Sequence, residues 1–144
     1  MSLAMTVEER EAFLADLHVG IISISDPEHG PLTVPIWYEY DPGGLVWVQT
    51  GKNSRKARLL KVGKRVSLCA QTEAPPYQYV SIEGPVVEMD EGDGTADTLA
   101  LAIKYLGEQY GTAYAKASGG AEANIRVSIR PERWLTVDYG KDSG

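Results

Sequence analysis

Proline inside a strand constrains this chain most, because a residue without an N–H cannot donate to a β-ladder. The situation arises twice. Leu32 to Tyr40 reads as a strand and carries Pro35, and Tyr77 to Met89 reads as a longer one and carries Gly84-Pro85. The first proline confines its strand to an edge, a bulge or a ligand-facing break. The Gly-Pro pair marks a bulge or bend of the kind that lets a sheet curl and close.

The remaining strand signals are short and separated by turn residues. Val19–Ser25 is rich in β-branched residues and ends at the turn Asp26-Pro-Glu-His-Gly30. Asp41-Pro-Gly-Gly44 joins the Leu32–Tyr40 run to Leu45–Thr50 as an antiparallel hairpin. Arg65–Gln71 is the fourth run, Ala74-Pro-Pro76 breaks the chain before the fifth, and Ile125–Ile129 alternates apolar with polar and continues as Trp134–Val137 past Pro131. Thr6-Val-Glu-Glu9 is a capping box opening a helix whose Phe13, Leu14 and Leu17 share a face. After the acidic loop at 90–94, Thr95 to Tyr110 is the longest helical pattern, with Leu99, Ile103 and Leu106 on one face. Gly111 to Gly120 is small and loose, a mobile connection. The expected fold is mainly β with accessory helices: one domain over 1–144, built as an antiparallel six-stranded split β-barrel.

The length of 144 residues suffices for one proper core, and 43% hydrophobic with 24% charged residues is the balance of a globular, soluble chain. The single cysteine, Cys69, excludes an internal disulfide, and neither His18 nor His29 has a metal-ligand partner at useful spacing, so no metal site is expected. No apolar stretch approaches membrane-spanning length and the N-terminus is acidic, which predicts a cytoplasmic protein with no membrane partner.

Charge is distributed unevenly. The chain has 14 Lys+Arg against 20 Asp+Glu, yet Lys52, Arg55, Lys56, Arg58, Lys61, Lys64 and Arg65 fall in one acid-free stretch. Ser54 is a good N-cap for a short helix through Val62, stopped by Gly63. Arg55 and Lys56 then occupy the first turn, where exposed amide N–H groups already carry partial positive charge and each cation costs about 0.3–1 kcal/mol. A bound phosphate reverses that sign by accepting from the amides, the Ser54 hydroxyl and both cations. A capped surface helix with a solvated basic face is the competing explanation. The missing second glycine and Gly-Lys-Ser/Thr ending exclude a Walker-type loop, and the net charge of −6 speaks against nucleic acid as partner.

Trp47-Val-Gln-Thr50 followed by Ser54-Arg55-Lys56 and Leu59 resembles the flavin-phosphate segment of pyridoxamine 5′-phosphate oxidases and their relatives. The likeness extends over most of the chain, through Pro35-Ile-Trp37, the Asp-Pro-Gly turn and Val80-Ser-Ile-Glu-Gly84. It implies an FMN-binding-like split barrel and a homodimer with the cofactor at the subunit interface. It implies that Ser54, Arg55 and Lys56 meet the cofactor phosphate, that Gln49 and Thr50 lie along the ring or ribityl chain, and that Val34, Pro35, Ile36 and Trp37 line the ring. Tyr79 takes the place of a polar contact in the next strand.

The true oxidases end in Trp-x-x-x-x-x-Arg-Leu-His-Asp-Arg, whereas this chain has Arg133-Trp134-Leu-Thr-Val-Asp138, which argues against pyridoxamine phosphate as substrate. The short chain looks more like the flavin/deazaflavin oxidoreductase branch, whose members use FMN or coenzyme F420. Lys52, Arg58 and Lys61 exceed what one phosphate requires and lean toward the carboxylate-rich deazaflavin. The expected activity is hydride transfer between F420 or FMN and a small unsaturated organic substrate, with no catalytic side chain because the cofactor carries the chemistry. Trp134 is the candidate substrate wall. A flavin- or deazaflavin-binding carrier or sensor without turnover is the alternative.

Overall fold

A computed structural model describes residues 2–91, 94–118 and 124–142. Helix α1 (Val7–Ala15) precedes strands β1 (Gly20–Ile24), β2 (Leu32–Ile36), β3 (Tyr38–Tyr40) and β4 (Val46–Gly51). The short helix α2 (Arg55–Leu59), strands β5 (Arg65–Gln71) and β6 (Gln78–Asp90), and helix α3 (Gly94–Ala117) follow. Strands β7 (Asn124–Ile129) and β8 (Arg133–Asp138) and a 3-10 turn (Tyr139–Asp142) end the described chain. All pairings are antiparallel and run β2-β1-β5-β6-β7-β4-β3, with β8 also on β6, so eight strands form one sheet that curls into a half-barrel.

β6 is the strand on which the curl turns. Its residues 79–85 pair with β5, 78–83 with β8 and 86–90 with β7. β7 and β8 therefore lie end to end along one side of β6. The linking residues stay attached to it, since Arg130 N–H donates to Pro85 O at 3.0 Å and Glu132 N–H to Glu83 O at 2.9 Å. The expected bend is where Gly84-Pro85 stands, with a register shift between Val86 and Glu88. Pro35 lies on β2, an edge strand, where its missing N–H costs the ladder nothing.

Two of the six strand runs divide, giving eight strands. Leu32–Tyr40 breaks at Trp37, so β2 pairs with β1 and β3 with β4. Ile125–Val137 breaks over 130–132. The Asp41 turn forms as expected, with Gly44 N–H donating to Asp41 O at 2.8 Å, and so does the Thr6/Glu9 capping box.

Alternate residues of each strand face a common interior. Ile22, Val48, Leu68, Val80, Ile82 and Ile129 are fully buried there, each worth about 1.5–3 kcal/mol of transfer free energy. Tyr38 is buried with them, and its hydroxyl donates to Leu14 O at 2.6 Å, fastening α1 to the barrel. Leu14 and Phe13 of the expected apolar face pack inward, while Leu17 is exposed.

The helices differ from expectation in extent. α2 stops at Leu59, with Leu60 as its extended cap, rather than at Val62. α3 runs through 111–117, expected to be loose; residues 119 and 120 of that stretch lie outside the described residues. Gly107 (φ 84, ψ 168) kinks it, a conformation that essentially only glycine adopts. The kink brings Gly111 against the Ala102 backbone, where an added Cβ would meet it at 2.6 Å. The buried face of α3 carries Thr98, Leu101 and Ala102, with Leu99 and Leu106 exposed. Gln49 on β4 sets that rotation, donating to Gly94 O at 2.9 Å and accepting from the Thr98 hydroxyl at 2.8 Å.

Candidate functional site

Where β4 ends, the chain turns through Gly51–Asn53 into α2, and Ser54 caps the helix by accepting the Ala57 N–H at 3.1 Å. The buried Thr50 hydroxyl lies 2.9 Å from Ser54 Oγ. Strand alternation puts Thr50 on the inner side of β4 with Ser54, and Gln49 on the outer side under α3. These neighbours in sequence thus serve different surroundings.

The basic residues of this corner have different partners. Arg55 donates through Nη2 to Asp26 Oδ2 at 2.9 Å. That carboxylate also accepts the Glu28 N–H at 2.9 Å and lies 3.3 Å from His29 Nδ1. The Arg55 guanidinium, chiefly, holds the Asp26 carboxyl down to about 2, with the Glu28 amide adding to it. Lys64 pins the same loop by donating to Ser25 O at 2.8 Å. Lys52 pairs with Glu91, and Arg65 with Glu83 and Glu132. Arg58 donates to Asn53 O at 2.8 Å and has no carboxylate partner among the described residues. Lys56, half-buried, has neither ion pair nor side-chain hydrogen bond among the described residues.

The expected first-turn cation conflict is thus relieved at Arg55 by Asp26, while α2 is so short that Lys56 also stands in its last turn, where a cation is favourable. A carboxylate twenty-nine residues away supplies a counter-charge that no local spacing announces. Of the three cations assigned to a carboxylate-rich tail, Lys52 is engaged by Glu91, leaving Arg58 and Lys61. The donor set suits a phosphate: a hydroxyl, a cation without a partner among the described residues, and guanidinium groups that each show a single bond there.

The other candidate residues are spread more widely. Val34 faces inward opposite Ile22, Pro35 outward opposite Ile21, and Ile36 sits in the core. Trp37, at the break between β2 and β3, stacks on Tyr105 of α3 with centroids 5.0 Å apart and planes at 5°. Tyr105 is tied in place, donating to His18 O at 2.6 Å and accepting the Tyr38 N–H at 3.1 Å, and burial pushes its hydroxyl up to about 12. Lys104 adds a bond to Tyr38 O at 2.9 Å. Tyr105 and Lys104 therefore position Trp37, a role that a helical pattern alone does not disclose.

Tyr79 lies on the outer face of the sheet, between Gln71 and Val137. Trp134 sits beneath the Arg10 guanidinium (4.4 Å to the ring) and edge-on to Tyr40. Tyr40 pairs with Val46, the first residue of β4, while Ser54 bonds Thr50, four residues on. At about 3.3 Å per residue those ends are ~13 Å apart, so one chain does not bring Trp134 to the basic corner.

The outer face of the sheet has a continuous row across five strands: Pro35, Ile21, Cys69, Ser81 and Leu135. Leu135 is 62% exposed, and Tyr77 and Tyr139 are exposed as well. Burial raises the Cys69 thiol above its ordinary range, so it is not a thiolate poised for attack. Among the described residues no helix is long and apolar enough to cross a membrane.

Comparison with known proteins agrees with this architecture. A conserved hypothetical protein from Mycobacterium tuberculosis is 20% identical, with 99% of this chain and 90% of that one covered at a TM-score of 0.76. An F420 reductase is 18% identical, with 87% and 94% covered at 0.70. An FAD-binding protein from Mycobacterium smegmatis is 12% identical, with 95% and 97% covered at 0.63. No curated protein matches the chain. The family model described as pyridoxamine 5′-phosphate oxidase matches residues 6–138, nearly the whole barrel from the capping box of α1 to the end of β8, and the chain belongs to that family.

Proposed function

We propose that this chain is a homodimeric oxidoreductase that transfers hydride between FMN or coenzyme F420 and a small unsaturated organic molecule. The observation that carries the reading is the corner at the end of β4, where the bonded Thr50–Ser54 hydroxyl pair stands at the head of the segment carrying Arg55, Lys56 and Arg58, and Lys56 has no partner among the described residues. A half-buried ammonium with no counter-charge among the described residues suits a site whose anion comes from outside the chain. Family membership and an F420 reductase among similar folds favour a flavin-type anion.

Lys56, Arg55 and Ser54 would hold the phosphate, with Arg58 beside them. A bound flavin or deazaflavin supplies hydride-transfer chemistry, so the side chains only bind, orient and exclude water. The apolar outer row of Ile21, Pro35, Cys69 and Leu135 supports a second copy covering that face. In such a dimer one subunit's basic corner would hold the phosphate and the other subunit would contribute to the rest of the site.

Parallel titrations with FMN and F420, followed by cofactor fluorescence, test the reading. It expects saturable binding of one of them at one molecule per chain, followed by turnover of the reduced complex with a panel of unsaturated acceptors. Binding without turnover on any acceptor would favour a carrier or sensor. Binding of neither would overturn the assignment.

A further inference from the structure

We infer that Asp26 is the specificity-determining residue of the anion corner, biasing it toward a singly charged phosphodiester and against a doubly charged phosphomonoester. The inference rests on the proposed reading of that corner and names the class of phosphate it takes.

Asp26 is built in, not a passing surface partner. Its side chain is 9% exposed against 48% for Arg55. One oxygen accepts the Glu28 N–H, and the other accepts Arg55 Nη2 and faces His29. Lys64, bonded to Ser25 O, anchors the residue just before it. The loop therefore places a fixed negative charge on the guanidinium that an incoming phosphate would share.

That charge acts in proportion to the charge of the incoming anion. A monoester carries about −1.5 to −2 at neutral pH, whereas a diester carries one negative charge. Whatever factor Asp26 costs a monoanion, it costs a dianion roughly the square of that factor, since Coulomb energies scale with charge. Asp26 accepts a single bond from Arg55 and does not cap the rest of the fork, so a diester can still be bound.

The test uses three ligands with one ring: FMN, the methyl ester of its phosphate, and riboflavin. The same series on the deazaflavin ring serves if that is the ring bound. Titrations at pH 8 keep the phosphomonoester close to its full double charge. Asp26→Asn removes the charge and keeps one acceptor oxygen, which can serve either the Glu28 N–H or Arg55 but not both. It should tighten FMN about fivefold to tenfold and the methyl ester about twofold to threefold, leaving riboflavin unchanged.

Arg55→Gln is the reciprocal variant and covers the case in which Asp26→Asn does not fold. It leaves Asp26 uncompensated, so FMN should lose more affinity than its methyl ester and the ratio should move further toward the diester. Equal changes for the two esters in either folded variant, or none, would overturn the role of Asp26 while leaving the cofactor reading intact. A wild-type protein that binds no member of either series would overturn both.

Discussion

A Cβ built on Gly84 lies 1.7 Å from the carbonyl oxygen of Arg130, so these two residues touch backbone to backbone where β6 bends between β5 and β7. The contact fixes where β7 hands over to β8, and thereby where Trp134 enters the sheet. Any side chain at 84 must push the 130–132 segment off β6 and break its two hydrogen bonds.

Gly84→Ala should therefore destabilise the fold by about 3 kcal/mol or more, at the upper end for overpacking, because the obstruction is backbone and cannot rotate away. Gly30→Ala, where an added Cβ meets nothing within 4 Å, is the control and should stay within about 0.5 kcal/mol. Urea unfolding of both variants measures the difference. Near-equal midpoints would show that the bend does not depend on this contact.

Tyr105 and Tyr38 offer a second test, on the alkaline side. Tyr105→Phe leaves the Tyr38 N–H without its acceptor and removes the donor to His18 O, which should cost about 1–3 kcal/mol. Burial raises the Tyr105 hydroxyl to about 12 in the folded state against an ordinary value near 10. A raised acid stabilises the fold at neutral pH, and that stability drains away as pH climbs from about 10 toward 12. Wild-type stability should fall across that window, and Tyr105→Phe should fall less steeply, with the remaining slope from Tyr38, Tyr40 and Cys69, which burial also raises. Identical slopes in melts at pH 9 to 12 would contradict the assignment.

Much of this fold was legible because local residues decide it. The Thr6/Glu9 box, the Asp41 turn, the Ser54 cap and the Gly84-Pro85 bend each follow from chemistry within a few positions, and each stands where the residues place it. What escaped depends on distant partners. Trp37 interrupts a continuous strand pattern because Tyr105 and Lys104, some sixty-six residues later, take the Tyr38 backbone groups. The buried face of α3 carries Leu101 and the Gln49-bonded Thr98 rather than the Leu99 and Leu106 stripe. Among the site residues, the Ser54–Lys56 corner was readable as a run of charge, but its counter-ion Asp26 looked only like part of a turn.

Lys56→Ala separates binding from folding. Lys56 has no ion pair among the described residues, and in a five-residue helix it lies in the last turn as well as the first, so the apo-protein should melt unchanged. Binding of a phosphorylated flavin or deazaflavin should weaken by about 1.5–3 kcal/mol, the worth of a charge-assisted hydrogen bond. Arg55→Ala differs, since it also strands Asp26 and should lower the apo melting temperature. If Lys56→Ala instead lowered the apo melting temperature sharply, the side chain would be structural and the phosphate would have to sit elsewhere.

The apolar outer row predicts how the chain assembles and what assembly does to binding. Pro35, Ile21, Cys69, Ser81 and Leu135 stand side by side across five strands, and Leu135 is exposed at the edge. If a second copy covers this row, light scattering at micromolar concentration should give twice the 15.7 kDa chain mass. Leu135→Asp should shift that mass toward the monomer, because a carboxylate would have to be desolvated in the interface without a partner. The chain itself should remain folded, since the side chain contributes little to the monomer's core. Cofactor affinity should fall with the dimer and become steeply dependent on protein concentration, as expected when two subunits complete one site. A wild-type mass near 15.7 kDa would remove the dimer, and a dissociated variant that binds as tightly as wild type would place the whole site within one chain.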